Sequence, residues 1–172
     1  MARRIIITAS GGGHTGYAVS IAQRLRGKAD MLFIIPKGDV WTRSKVERFG
    51  DVLEIPKPRG PKDTIVKFIM KFPGALMESL KKVVKDYEVL VSTGSNHSLA
   101  PALVAKIKGL KIINIESSVR FTKPSLSVKV IKVYCERRSN NKLDCTMACG
   151  LTFPDTEENK KEFRKYIIWL QE

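Results

Sequence analysis

The sequence predicts an α/β fold, a doubly wound parallel sheet, on three observations. Five short runs rich in Val, Ile and Leu read as strands buried on both faces. Amphipathic helical patterns alternate with them. The first run ends in a cluster of glycines that opens directly into a helix.

The elements follow in order. Arg4 to Ala9 (RIIITA) is a β-branched run, hence a strand. After the glycines, Tyr17, Ile21 and Leu25 recur at spacing four with Ala18 and Ala22 beside them, and Gly27 supplies a stop, which predicts a helix laid on the sheet. MLFIIP from Met31 and DVLEIP from Asp51 are the second and third strands, joined by a Gly- and Lys-containing connection that holds Trp41, Thr42 and Arg43. EVLVSTG from Glu88 and KIINIE from Lys111 are the fourth and fifth. Helical stretches from about Asp63 to Lys85 and from about Ser98 to Lys108 separate the later strands, the first of them broken in two by Pro73-Gly74. Right-handed crossovers gather the loops after the strands along one edge, where ligands of such sheets bind. Those loops are Ser10 to Gly16, Pro36 to Arg43, Thr93 to His97 and Glu116 to Ser127.

A chain of 172 residues suits one compact domain. Its 43% hydrophobic and 28% charged residues exclude a largely disordered chain. No run reaches the roughly 18 to 20 apolar residues of a membrane-spanning helix, and MARRIIITAS is too soon broken for a signal peptide, so a soluble or peripheral protein is expected. The net charge is +14 and unevenly placed, with 24 basic against 10 acidic residues up to Tyr134 and 7 against 7 from Cys135 onward. Such a surplus concentrates anions: phosphorylated substrates, acidic headgroups or nucleic acid. With 8% aromatics and no recognisable motif, nucleic-acid binding ranks last. Cys135, Cys145 and Cys149 fit no zinc spacing and read as free thiols; no metal site is expected. Residues 1–134 read as the folded domain and 135–172 as a divergent tail.

Four features carry chemistry. SGGGHTG matches G-x-G-x-x-G through Gly11, Gly13 and Gly16, but the second strand ends Ile35, Pro36, Lys37 where a dinucleotide site wants an acidic residue; Lys37 leaves an NADP-type site as a minor alternative. Physically, Gly11, Gly12 and Gly13 let backbone amides approach a phosphate or diphosphate at a helix N-terminus. His14 in the same turn is either a general base or a loop-stabilising side chain. A second small-residue turn, Gly94, Ser95 and Asn96 with His97, can help hold a sugar phosphate or simply cap the next helix. Glu116 at the end of the fifth strand either pairs with Arg120 or performs chemistry. Finally, TIVKFIMKFPGALMESLKKVVKD carries more apolar surface than a core stripe needs, with lysines alongside. Ile65, Lys67, Phe68, Ile69, Lys71 and Phe72 are the expected contact with an anionic membrane surface.

SGGGHTG, VSTGSNHSLAPALVAKIKGLKIINIESSVRFTKPSLS and their order over about Arg3 to Val130 resemble the anchoring subunit of the two-subunit UDP-N-acetylglucosamine transferase of asparagine-linked glycosylation. That family is similar to the amino-terminal half of GT-B glycosyltransferases such as the bacterial enzyme of the lipid-linked peptidoglycan precursor. The resemblance implies a Rossmann-like half of a GT-B enzyme, inactive alone, needing no cofactor. It implies a polyprenyl- or dolichyl-diphosphate-sugar acceptor and a catalytic partner subunit that binds UDP-GlcNAc, at the cytoplasmic face of the membrane. Carried over by position, Gly11, Gly12 and Gly13 approach the diphosphate, His14 and Glu116 are the candidate bases, and Ser117, Arg120 and Ser125 line the cleft. Eukaryotic members carry an amino-terminal membrane helix that this sequence does not show, so attachment is expected through Thr64 to Asp86. A non-catalytic membrane scaffold is the alternative from another class.

Overall fold

In the computed structural model, residues 3–60, 63–116, 130–131 and 145–149 are described, the last five and Glu116 by their backbone. The elements run β1 (Arg3–Thr8), α1 (Gly12–Leu25), β2 (Ala29–Pro36), α2 (Val40–Val46), β3 (Asp51–Ile55), α3 (Ile65–Lys82), β4 (Val89–Ser92), α4 (Leu99–Ile107), β5 (Lys111–Glu116) and β6 (Cys145–Cys149). The sheet order is β3-β2-β1-β4-β5-β6 and every pairing is parallel. The expected doubly wound α/β sheet is therefore present. β1 sits between β2 and β4, so chain direction across the sheet reverses beside it, and the loops after β1 and β4 flank that switch point.

The strand runs are unbroken because each residue has a core to face. Ile5 and Ile7 point into the layer made by Ala18, Ala22, Leu25 and Val46 of α1 and α2. Ile6 points the other way, toward Ala75 of α3 and Ala102 and Ala105 of α4. All three isoleucines are fully buried.

Four details differ from the sequence expectation. In α1 the buried stripe is Thr15, Ala18, Ala22 and Leu25, with Tyr17 and Ile21 only half-buried. The alanines face the sheet because a small side chain lets the helix close on it. The Pro36 to Arg43 connection runs into a short helix, α2, capped by Asp39, whose carboxylate accepts from the Thr42 amide. Its seven residues are too few to show a stripe. Pro73 does not break α3. The carbonyl it leaves without a donor belongs to Ile69, an exposed residue whose backbone water can reach. The fourth is β6, which comes from the charge-neutral stretch and extends the sheet in register, Ile112 with Cys145 through Glu116 with Cys149.

α3 presents one side to the core and one to solvent. Ala75 and Ser79 are buried, and Phe68, Phe72 and Leu76 pack against the core in half-buried positions, the two rings 5.3 Å apart. On the opposite side Ile65, Val66, Ile69, Met70 and Met77 are exposed, Met70 to 75%. Thr64 caps the start of α3. Lys108 Nζ donates to the carbonyls of Leu80 and Val83 at its end, a cation at the negative pole of the helix.

Candidate functional site

The glycine turn leaves β1 at the switch point and enters α1 with two successive left-handed residues, Gly11 at φ 55° and Gly12 at φ 51°. A side chain is strained at both positions, which is why glycine stands there. Gly11 is the N-cap of α1 and brings no side chain to cap it, and no acidic residue occupies the first turn. The amides of Gly12, Gly13 and His14 thus form a positive helix end without a side-chain cap. Gly12 and Gly13 are exposed, and a Cβ built on either meets nothing within 4 Å. The space above this helix end is open to a ligand.

Gly11 plays a different part from its two neighbours. Its own amide donates to Thr42 Oγ1 at 3.0 Å, so what it contributes is the turn. Thr42 is fully buried; its hydroxyl also meets Thr15 Oγ1 at 2.9 Å and donates to Asp39 Oδ2 at 2.7 Å. The sequence placed Thr42 in the connection after the second strand without assigning it a role, and did not mark Asp39. The legible signal was Gly38-Asp39 followed three residues later by Thr42, a helix-start pattern just after a strand.

On the other side the turn is tied to β4. His14 Nδ1 lies 2.6 Å from the Thr93 carbonyl. A carbonyl only accepts, so Nδ1 carries the proton, and in the neutral ring Nε2 holds the lone pair. The Thr93 carbonyl is itself held in place: Thr93 Oγ1 donates to the Thr8 carbonyl at 3.0 Å, the Thr93 amide donates to Thr8 Oγ1 at 3.2 Å, and Thr8 Oγ1 meets Ser98 Oγ at 2.7 Å. The ends of β1 and β4 are thus locked as one unit carrying the imidazole. Both the base and the loop-stabilising reading of His14 are compatible with this geometry.

The second turn is the expected neighbour of the first. Within it Gly94, at φ 82°, and Ser95 are buried, with the Gly94 amide donating to Ser92 Oγ and Ser95 Oγ meeting Ser98 Oγ. Asn96 is half-buried. His97 is 1% exposed, and among the described residues neither ring nitrogen has a partner at good hydrogen-bond geometry. Burial, with a smaller push from Lys57, lowers its pKa from 6.5 to about 4, although the nearby Ile34 carbonyl favours the charged ring. His97 is therefore a neutral core histidine. Glu116 ends β5, two strands from β1 and so about 10 Å away across the sheet, on the same edge. Its side chain, and Ser117, Arg120 and Ser125, lie outside the described residues.

The surroundings of Lys37 weigh against a 2′-phosphate. Glu54 of β3 accepts from Arg43 Nη2 at 2.8 Å and from the Gly38 amide. Those hydrogen bonds, with smaller charge contributions from Arg43 and Lys37, hold its carboxyl below the usual range, so an incoming phosphate meets a carboxylate there.

No family model and no curated protein matches the sequence. The fold is similar to solved structures at low identity. MurG of Acinetobacter baumannii aligns with a TM-score of 0.63 at 15% identity, over 91% of this chain and 44% of that one. A UDP-N-acetylglucosamine 2-epimerase gives 0.59 at 11% identity, over 96% and 45%. The calicheamicin glycosyltransferase CalG4 gives 0.53 at 11% identity, over 98% and 43%. The chain thus spans less than half the length of each of these proteins. Among the described residues no helix is long and apolar enough to cross a membrane. The parallel sheet with alternating helices, the switch point beside β1 and these alignments together make the fold that of one half of a GT-B, Rossmann-like glycosyltransferase.

Proposed function

We propose that this chain is the membrane-associated, acceptor-binding subunit of a heteromeric glycosyltransferase. The reaction is transfer of N-acetylglucosamine from UDP-GlcNAc to a polyprenyl- or dolichyl-diphosphate-linked sugar, and the chain recruits the catalytic, UDP-GlcNAc-binding partner to the membrane. The observation that carries the reading is the open, uncapped end of α1 at the switch point, with His14 beside it. A diphosphate accepts hydrogen bonds from the Gly12 and Gly13 amides there. The fold is that of one half of a GT-B enzyme, and in this reading the partner supplies the other half. A protein similar in fold is named for UDP-N-acetylglucosamine, in keeping with that donor.

In this reading the acceptor hydroxyl loses its proton to His14 Nε2 or to the Glu116 carboxylate. Its oxygen forms the new bond to the anomeric carbon, and the bond from that carbon to the UDP oxygen breaks with its electron pair leaving on UDP. The lipid tail remains in the bilayer, against which Ile65, Ile69 and Met70 sit with Lys67 and Lys71 at the headgroups. Phe68 and Phe72, half-buried against the core, stiffen that helix from within.

The test is co-purification with the candidate partner followed by transfer from UDP-GlcNAc to a short-chain polyprenyl-diphosphate sugar. Activity appears only in the pair and drops at least a hundredfold with His14→Ala or Glu116→Ala. If both variants leave transfer unchanged, the chain is instead a non-catalytic membrane scaffold, a reading the exposed apolar face of α3 also supports.

A further inference from the structure

We infer that Thr42, oriented by Asp39, is a positioning residue that sets the glycine turn for anion binding by holding the Gly11 amide. The inference rests on the reading of that turn as a diphosphate site. It follows from counting protons around one buried hydroxyl. Thr42 Oγ1 has three partners, Asp39 Oδ2 at 2.7 Å, Thr15 Oγ1 at 2.9 Å and the Gly11 amide at 3.0 Å. A carboxylate only accepts, so the single Thr42 proton goes to Asp39. Both lone pairs then face donors, the Gly11 N–H and the Thr15 hydroxyl, and the hydroxyl is saturated with every polarity assigned. The second Asp39 oxygen accepts from the Thr42 amide at 3.0 Å, so the carboxylate cannot swing away without uncapping α2.

The consequence reaches the ligand end. Gly11 and Gly12 both have positive φ, a conformation glycine leaves readily because nothing in its own sterics prefers it. The bond to Thr42 ties the first of these two residues to the core, and with it the direction of the Gly12 and Gly13 amides. His14 is tied separately, through Thr93. The anion end of α1 is therefore held by two anchors, Thr42 in α2 and Thr93 just after β4, and Thr42 is the one that governs the glycines.

The test compares Thr42→Val with Thr15→Val and Thr42→Ser in the full chain, by amide hydrogen exchange and by titration with inorganic pyrophosphate. Thr42→Val and Thr15→Val each delete one buried hydroxyl from the same cluster, but only the first releases Gly11. Expected are at least tenfold faster exchange of the Gly11 amide and at least tenfold weaker pyrophosphate binding in Thr42→Val, with Thr15→Val and Thr42→Ser within about threefold of the parent. Should Thr42→Val fail to fold, Asp39→Ala takes its place. It deletes a negative charge beside an anion site, so electrostatics alone makes pyrophosphate bind more tightly, whereas lost positioning makes it bind more weakly; tighter binding overturns the inference. Unchanged Gly11 exchange in Thr42→Val, or equal weakening by Thr15→Val, also overturns it. If the parent protein itself binds no pyrophosphate, the diphosphate reading fails, and the exchange experiment still decides whether Thr42 holds the turn.

Discussion

Replacing Gly13 by alanine separates the stability of the glycine turn from its use. Gly13 is the second residue of α1, has no positive φ, and a Cβ added there meets nothing within 4 Å. Alanine suits a helix better than glycine by roughly 0.5–1 kcal/mol in an interior position, so about 0.5 kcal/mol of stabilisation is expected in the first turn. For a domain of this size that raises Tm by about 1–2 °C. The same methyl stands in the open space over the helix end, where a phosphate oxygen must come within about 2.9 Å of an amide nitrogen. Losing one charge-assisted hydrogen bond costs about 1.5–3 kcal/mol, roughly ten- to a hundredfold in affinity. Gly13→Ala should therefore melt slightly higher and bind pyrophosphate far more weakly, as read by thermal unfolding and calorimetric titration. A higher melting temperature with undiminished pyrophosphate affinity would refute the placement of the anion on this helix end. Gly11→Ala and Gly12→Ala are the contrast: at φ 55° and 51° each should lose about 1 kcal/mol of stability.

Further outcomes follow from other parts of the molecule. His97 has a folded pKa of about 4 against 6.5, so the unfolded chain takes up a proton that the folded one refuses. Stability is full above pH 6.5 and falls by up to about 3 kcal/mol on acidification toward pH 4. Urea titrations at pH 7 and 4.5 should show that loss, and His97→Leu should remove most of it; Glu54 and Glu78, both held below 4.5 by their hydrogen bonds, add their own loss only below that pH. Gly50→Ala should lower stability by about 2 kcal/mol or more, because its Cβ would stand 2.0 Å from the Met31 carbonyl oxygen, a backbone atom that cannot turn aside; equal Tm to the parent would show that the β2–β3 edge is looser than this packing implies. Ile69→Asp with Met70→Asp, both at exposed positions, should shift stability by less than about 0.5 kcal/mol per site yet abolish cosedimentation with vesicles rich in anionic lipid; retained binding would remove α3 as the membrane surface. Lys108→Ala leaves the Leu80 and Val83 carbonyls without their cation and should cost about 1 kcal/mol in chemical unfolding.

The parallel sheet was legible because burial on both faces demands unbroken apolar strands, and RIIIT, MLFII and KIINI are such runs. α2 and β6 were not. Seven residues span too few turns to repeat a stripe, and CTMAC holds one β-branched residue. The Pro73-Gly74 pair read as a break because local propensity disfavours helix there, but packing of Phe68, Phe72, Ala75 and Ser79 on one side holds α3 together across it. Of the candidate site, the two polar turns and the position of Glu116 on one edge could be read directly, since parallel strands alternating with helices put every loop that follows a strand on the same edge.

By itself the sequence determined the kinds of element, the edge on which the loops gather, and the glycines where a side chain would strain the turn. These depend on the residue in question and its near neighbours along the chain. Only the tertiary structure decided what each polar group in that turn is doing. Gly11 spends its amide on Thr42, His14 spends a nitrogen on the Thr93 carbonyl, and His97 is shut away from solvent with no partner for its ring nitrogens among the described residues. Hydrogen bonds between residues 31 and 79 positions apart depend on which strands lie side by side, and local pattern carries no record of that choice.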